Sequence, residues 1–218
     1  MSANDHVVLV HGLWRTPLSW MVPRQRLRSA GYQAVGIHYP SFRRPIEELA
    51  RFVASRLPTN SGGRIHFLTH SLGGLVIRYL LRTERPDNLG RVVMLSPPNH
   101  GSQLARHLTR NRVFTTAAGP AGQQLASTPE AIGELLGPVD FDLGVIIGDK
   151  ALPLTSRHIR GVNDGKVGTE EARIAGMRDF LVVHRGHAFI MNDANVVKQA
   201  VHFFEHGSFS HLDPGGEP

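Results

Sequence analysis

At 218 residues, with 41% hydrophobic and 19% charged side chains, the chain is sized for one domain with a substantial core and is unlike a disordered or fibrous segment. It contains no cysteine, which excludes disulfides and thiolate catalysis and fits a reducing compartment. The formal charge of +6 owes much to arginines at 24, 26, 28, 43, 44, 106, 110 and 112, but no nucleic-acid motif accompanies them, and spaced arginines on helices ordinarily form a solvated face.

The segment Met1-Ser2-Ala3-Asn4-Asp5 runs straight into apolar sequence without a basic region, an apolar stretch and a cleavage site, so a cytoplasmic location is expected. From there short apolar runs alternate with amphipathic stretches, the pattern of an α/β domain with a parallel sheet. The first predicted strand is His6–Val10. A helix over about 18–30 follows and stops at Gly31. The second strand is Ala34–Ile37, then a helix over about 45–57 ends before Pro58. A third strand, Ile65–Leu68, leads into a helix beginning at Ser71. Further strands are predicted at Arg91–Leu95, Leu143–Ile147 and Phe180–Val183, with a final helix over about 194–204 and a stop at Gly207. The runs are mostly unbroken, as expected of strands covered on both faces.

Residues 102–140 are too long for a simple crossover. Two weak helical patterns lie there, separated by Ala118-Gly119-Pro120-Ala121-Gly122. The segment reads either as a small cap or lid above the strand ends or as an inert connection. The expected organisation is one domain over 1–207, including this insertion, and a flexible tail over 208–218.

The segment Leu68-Thr69-His70-Ser71-Leu72-Gly73-Gly74 carries the most chemistry. A serine on a sharp strand-to-helix turn presents its hydroxyl at the carboxyl end of the sheet. Gly73 and Gly74 supply the small neighbours that such a turn needs. The helix beginning there aims free amides at a reacting carbonyl, so the N–H of Leu72 is a candidate oxyanion donor. The plainer alternative is a serine that only caps a helix.

This segment resembles the nucleophile turn of the α/β-hydrolase superfamily, in particular its compact lipase and esterase-like branch. The family pattern is Gly-x-Ser-x-Gly, and here Thr69 stands where the first glycine is usual. Other segments extend the resemblance. Val10-His11-Gly12-Leu13-Trp14 is similar to the family's first oxyanion loop, which implies Leu13 as the second donor. Gly161-Val162-Asn163-Asp164-Gly165-Lys166-Val167 resembles its acid loop and implies Asp164, with Asp149 as the rival closer to a strand end. Val183-His184-Arg185-Gly186-His187-Ala188-Phe189 resembles its base loop and implies His187 rather than His184. Ser96-Pro97-Pro98-Asn99-His100-Gly101-Ser102 is similar to the Pro-x-x-Gly-Ser loop of lipase-like members. The order Ser71, Asp164, His187 is that of the superfamily.

The resemblance implies an α/β-hydrolase fold: a mostly parallel sheet of about six strands, with helices on both faces and a small cap or lid insertion. It implies a serine hydrolase acting on carboxylic esters, short- to medium-chain or lipid, through an acyl-enzyme. Trp14, Trp20, Leu104, Phe114 and Phe189 are candidates to line an acyl pocket, although residues of these types more often belong to a core. No cofactor is expected. His202 and His206 lie four apart on a helix, but without a third ligand no metal site is expected. The expected partner is a small-molecule or lipid ester, with room for transient contact with a lipid surface and none with nucleic acid. An acyltransferase or thioesterase using the same residues, and a non-catalytic binding module on this fold, stand as alternatives.

Overall fold

The computed structural model describes residues 4–58 and 62–211. Six strands, β1 (His6–Val10), β2 (Gln33–Ile37), β3 (Ile65–His70), β4 (Leu89–Leu95), β5 (Leu143–Gly148) and β6 (Asp179–Val183), form one sheet in the order β2-β1-β3-β4-β5-β6. Every neighbouring pair is parallel. The central strands β1, β3 and β5 are buried at every position, which is why they read as continuous apolar runs. The edge strands are less covered: β2 alternates, leaving Val35 exposed, and Val182 of β6 faces solvent.

Successive side chains of a strand point to opposite faces, so β1 feeds two cores. Val8 and Val10 pack with α2 (Ile46–Ala54) and α3 (Leu72–Thr83). Val7 and Leu9 pack with Trp20, with Leu27 of α1 (Met21–Ser29), and with Phe203 of α9 (Ala194–His206). The first predicted helix is thus two pieces, a 3-10 turn over Pro17–Trp20 and then α1.

Three helices occupy the long insertion: α4 (Gln103–Leu108), α5 (Arg112–Gln124) and α6 (Pro129–Leu136). The Gly119-Pro120 step, read from sequence as a break between two helical patterns, is non-helical at Gly119 and divides α5 into two halves across a kink, and α6 follows. At Gly119 φ is +66°, and a Cβ there would lie 1.7 Å from the carbonyl oxygen of Phe42, so only glycine fits against that loop. Beyond the kink, Ala121 and Leu125, with Ile132 and Leu136 of α6, join the core beside α3. Two short helices, α7 (Pro153–Ser156) and α8 (Thr169–Ala172), bracket the loop between β5 and β6. Of the tail expected from Ser208, Phe209 is buried and its N–H donates to Asp179 at 2.7 Å, while residues 212–218 lie outside the described residues.

Among the described residues, no helix is long and apolar enough to cross a membrane.

Candidate active site

Three non-glycine residues have positive φ among the described residues: Trp14 (57°), Ser71 (52°) and Ser96 (49°). Each follows the carboxyl end of a strand, β1, β3 and β4 respectively. Strain of this kind costs on the order of 1–3 kcal/mol per residue and persists where the surroundings over-determine it. At Ser71 they do so. Its N–H donates to the Leu95 carbonyl at 2.9 Å, and its carbonyl accepts from Gly74 at 3.0 Å.

Packing of the turn against β1 explains its glycines. A Cβ on Gly73 would lie 2.3 Å from the Val10 carbonyl oxygen, so any side chain there would push helix and strand apart. A Cβ on Gly74 would lie 3.1 Å from Met94 Sδ and 3.2 Å from Pro97 Cβ, so the glycine lets the start of α3 sit close to β4 and the loop after it, with Thr69 Oγ1 nearby at 3.4 Å. Leu72 is the first residue of α3, so its amide is among those that a helix cannot bond internally. On the facing side, a Cβ on Gly12 would lie 3.1 Å from Ser71 Cβ, which sets the Gly12-Leu13 turn directly beside the serine.

The acid and base loops meet next to it. His187 Nδ1 lies 2.8 Å from Asp164 Oδ2, with both side chains buried. The other carboxylate oxygen accepts the N–H groups of Lys166 at 2.9 Å and Val167 at 2.8 Å. One backbone bond closes the loops on each other, His187 N–H to Asp164 O at 2.9 Å, and another, Asp164 N–H to Val167 O at 3.1 Å, tightens the turn that carries Asp164. An ionised carboxylate only accepts, so Nδ1 carries the proton and Nε2 is the basic nitrogen. Burial alone would raise the Asp164 pKa. The charge and hydrogen bond of His187, the Ser96 hydroxyl beside it and the Val167 amide together outweigh burial and hold it below the usual carboxylate range.

Ser71 and His187 line one cavity of about 130 Å³ at the carboxyl ends of the strands. Leu13, Trp14 and Leu104 also line it. Trp14 is half exposed, its indole N–H tied to the Ala117 carbonyl at 3.0 Å. Phe189 departs from expectation. The tight turn that carries His187, closed by Phe189 N–H to Gly186 O at 3.1 Å, leaves the Phe189 side chain 70% exposed and out of the cavity wall. The side chain of Phe114 lies outside what is described. The rivals Asp149 and His184 find each other instead, at 2.9 Å on the surface. The His202 and His206 rings lie 4.4 Å apart between centres and tilted by 45°, and no group of three side chains placed to hold a metal occurs among the described residues.

Two supporting residues carry no local sequence signal. His70, fully buried, donates Nε2–H to the His187 carbonyl at 2.9 Å. Burial, then the neighbouring His187 and Arg15, push its pKa well down, so it is a neutral prop for the base loop. Tyr39 stacks on His11 at 4.3 Å and its hydroxyl donates to the His11 carbonyl, bracing the turn that leads to Leu13. A larger depression of about 1360 Å³ lies at the opposite end of the sheet around Asp5, His66 and Arg91, and among the described residues no serine or threonine lines it.

The comparisons agree with this architecture. The profile of the alpha/beta hydrolase family matches residues 7–208, and the chain belongs to that family. No curated protein sequence matches it. Among solved structures, the mature form of lipase BlEst2 from Bacillus licheniformis is similar with a TM-score of 0.78 at 19% identity, covering 88% of each chain. Phospholipase PlaB from Legionella pneumophila is similar with a TM-score of 0.70 at 18% identity, over 91% of this chain and 57% of its own. A metagenomic carboxyl esterase is similar with a TM-score of 0.67 at 19% identity, over 87% of this chain and 66% of its own. The chain therefore spans between just over half and two thirds of the latter two. At such identities the likeness is one of fold.

Proposed function

We propose that the protein is a carboxylic ester hydrolase in which Ser71 is the nucleophile, His187 the general base and acid, and Asp164 the residue that orients His187. The observation that carries this reading is the buried His187–Asp164 pair opening onto the same small cavity as a serine held at φ 52°. The names of the similar structures, a lipase, a phospholipase and a carboxyl esterase, support the substrate class.

The chemistry follows from the atoms. Nε2 of His187 takes the Ser71 proton as Oγ attacks the ester carbonyl carbon. The oxyanion is received by the amides of Leu13 and Leu72; one such donor is worth on the order of 3 kcal/mol in serine hydrolases. On collapse the C–O bond to the alcohol breaks, and His187 returns the proton to that oxygen. Water, deprotonated by His187, then attacks the acyl-enzyme and frees the acid and Ser71. Labelling with a fluorophosphonate followed by peptide mass spectrometry tests the scheme. The label is expected on Ser71 and absent from Ser71→Ala; folded wild-type protein that takes no label would sink it.

The insertion 102–140 forms the cap in this reading. Leu104 and Leu108 of α4 and Leu125, just past α5, give the acyl chain an apolar wall. Because α4 (through Ala105), the second half of α5 and α6 are rooted in the core, opening is confined to the first half of α5. The small cavity favours short acyl chains. In a series of p-nitrophenyl esters, kcat/KM is expected to peak at short to medium lengths, and a steady rise toward long-chain emulsions would contradict it.

A further inference from the structure

Two cations, Arg15 and Lys166, line the Ser71 cavity, and no carboxylate does. Neither side chain enters an ion pair within 4.0 Å among the described residues, whereas arginines at 44, 85, 91, 178 and 185 each have an acidic partner. The acid whose charge reaches Lys166, Asp164, is already engaged at both oxygens by His187 and by the Lys166 and Val167 amides. Burial lowers the pKa of both cations, and the charge of Arg15 lowers that of Lys166 further, with Asp164 opposing. Arg15 is half-buried and Lys166 exposed, so solvent screens their repulsion without removing it, and an anion seated between them relieves the rest.

Their position says which part of a substrate they meet. A guanidinium nitrogen of Arg15 donates to the Ala188 carbonyl at 3.0 Å, next to His187, and Lys166 is two residues past Asp164. Both therefore stand on the His187 side, while Leu104, Leu108 and Leu125 form the apolar side. His187 delivers its proton to the departing alcohol, so the alcohol lies toward the cations and the acyl chain toward the leucines.

We propose that the cavity takes esters whose alcohol part bears an anionic group, phosphate or carboxylate, held between Arg15 and Lys166. This rests on the hydrolase reading above. Only part of the guanidinium is spent on Ala188, leaving donors for the anion, and Lys166 adds a point charge.

The test uses the full chain and two esters that differ by one phosphate, 1-butyrylglycerol 3-phosphate and 1-butyrylglycerol, with butyrate release as the readout. The phosphorylated ester is expected to be favoured in kcat/KM by about tenfold or more, mainly through KM, which is the size of one charge-assisted contact. That ratio should fall toward one in Arg15→Gln and Lys166→Gln, survive in Lys166→Arg, and invert in Lys166→Glu. A ratio of one or less in wild type, or the same ratio in all variants, with Ser71 still labelled and 1-butyrylglycerol still cleaved, overturns the anion site and leaves the hydrolase standing. A p-nitrophenyl hemisuccinate favoured over the butyrate, with no preference between the glycerol esters, would move the charge to the acyl side and overturn it too. Loss of both label and turnover in wild type would overturn both readings.

Discussion

Two histidine–aspartate pairs sit at the same end of the sheet, and both join the loop after β5 to the loop after β6. Their contact distances are nearly equal, 2.8 Å for His187–Asp164 and 2.9 Å for His184–Asp149. Everything around them differs. The inner pair is 5% and 0% exposed, whereas the outer pair is 74% and 34% exposed. Asp164 also accepts two backbone amides, whereas Asp149 holds only an imidazole that water reaches freely. A surface pair of this kind is worth about 0–1 kcal/mol, because solvent screens it and both side chains lose rotamer freedom. Proximity of an imidazole to a carboxylate therefore does not make a catalytic dyad. Burial, a second set of donors that fixes the carboxylate, and a cavity shared with Ser71 set the inner pair apart.

The sharpest break of that comparison is to remove each acid in turn. Asp164→Asn keeps the shape but offers an amide where an acceptor is needed, favouring the wrong tautomer of His187. The kcat for a short p-nitrophenyl ester is expected to fall by about 10³–10⁴, the scale seen when the acid of a serine protease triad is so replaced. Asp149→Asn should stay within about twofold, as surface changes away from a site generally do. Comparable losses in the two variants would mean that the outer pair, not the inner one, serves the reaction.

A smaller effect is expected at the prop beneath the inner pair. His70→Leu leaves the His187 carbonyl without its donor in a buried place, and that costs about 1–3 kcal/mol. Part of this should appear as a tenfold or so loss in kcat with KM little changed, since the base is displaced rather than the substrate. His70→Gln, whose amide N–H can reach the same carbonyl, should restore most of the rate. If leucine and glutamine behaved alike, the hydrogen bond would not be what positions the base.

How much of this was legible from sequence follows from the range of each interaction. The strands were readable because a parallel sheet covered on both faces demands unbroken apolar runs, and β1, β3 and β5 obey it. Ser71 was readable because its turn is local: the strand, the serine and the glycines that make room are consecutive. His70 and Tyr39 were not. Their partners are 117 and 28 residues away, and nothing beside them in the chain announces those contacts. Phe189 failed for the opposite reason. Its neighbourhood to His187 suggested a pocket, but the turn that points the histidine inward turns the next aromatic out. In the insertion, Gly119-Pro120 was readable as a helix break, and the chain does leave helical geometry there to pass Phe42; the further helix α6 was not read.

The inner pair also differs from the outer in what acid should do to it. The Asp164 carboxyl is held below its ordinary pKa, so its ionised form favours the folded state. A depressed carboxylate contributes stability that is complete above the unfolded pKa of about 4 and is lost as pH falls through the lower folded value. Thermal melting of wild type and Asp164→Asn should accordingly show a gap that is level from about pH 5 to 8 and narrows below about pH 4, where the wild type surrenders the contribution that the variant never had. Asp149→Asn should melt within a degree or two of wild type throughout, because an exposed pair worth at most about 1 kcal/mol has little to lose. A gap for Asp164→Asn that widened in acid would reverse the sign of the argument, and would mean that burial, not the His187 contact and the amides, dominates the carboxyl's environment.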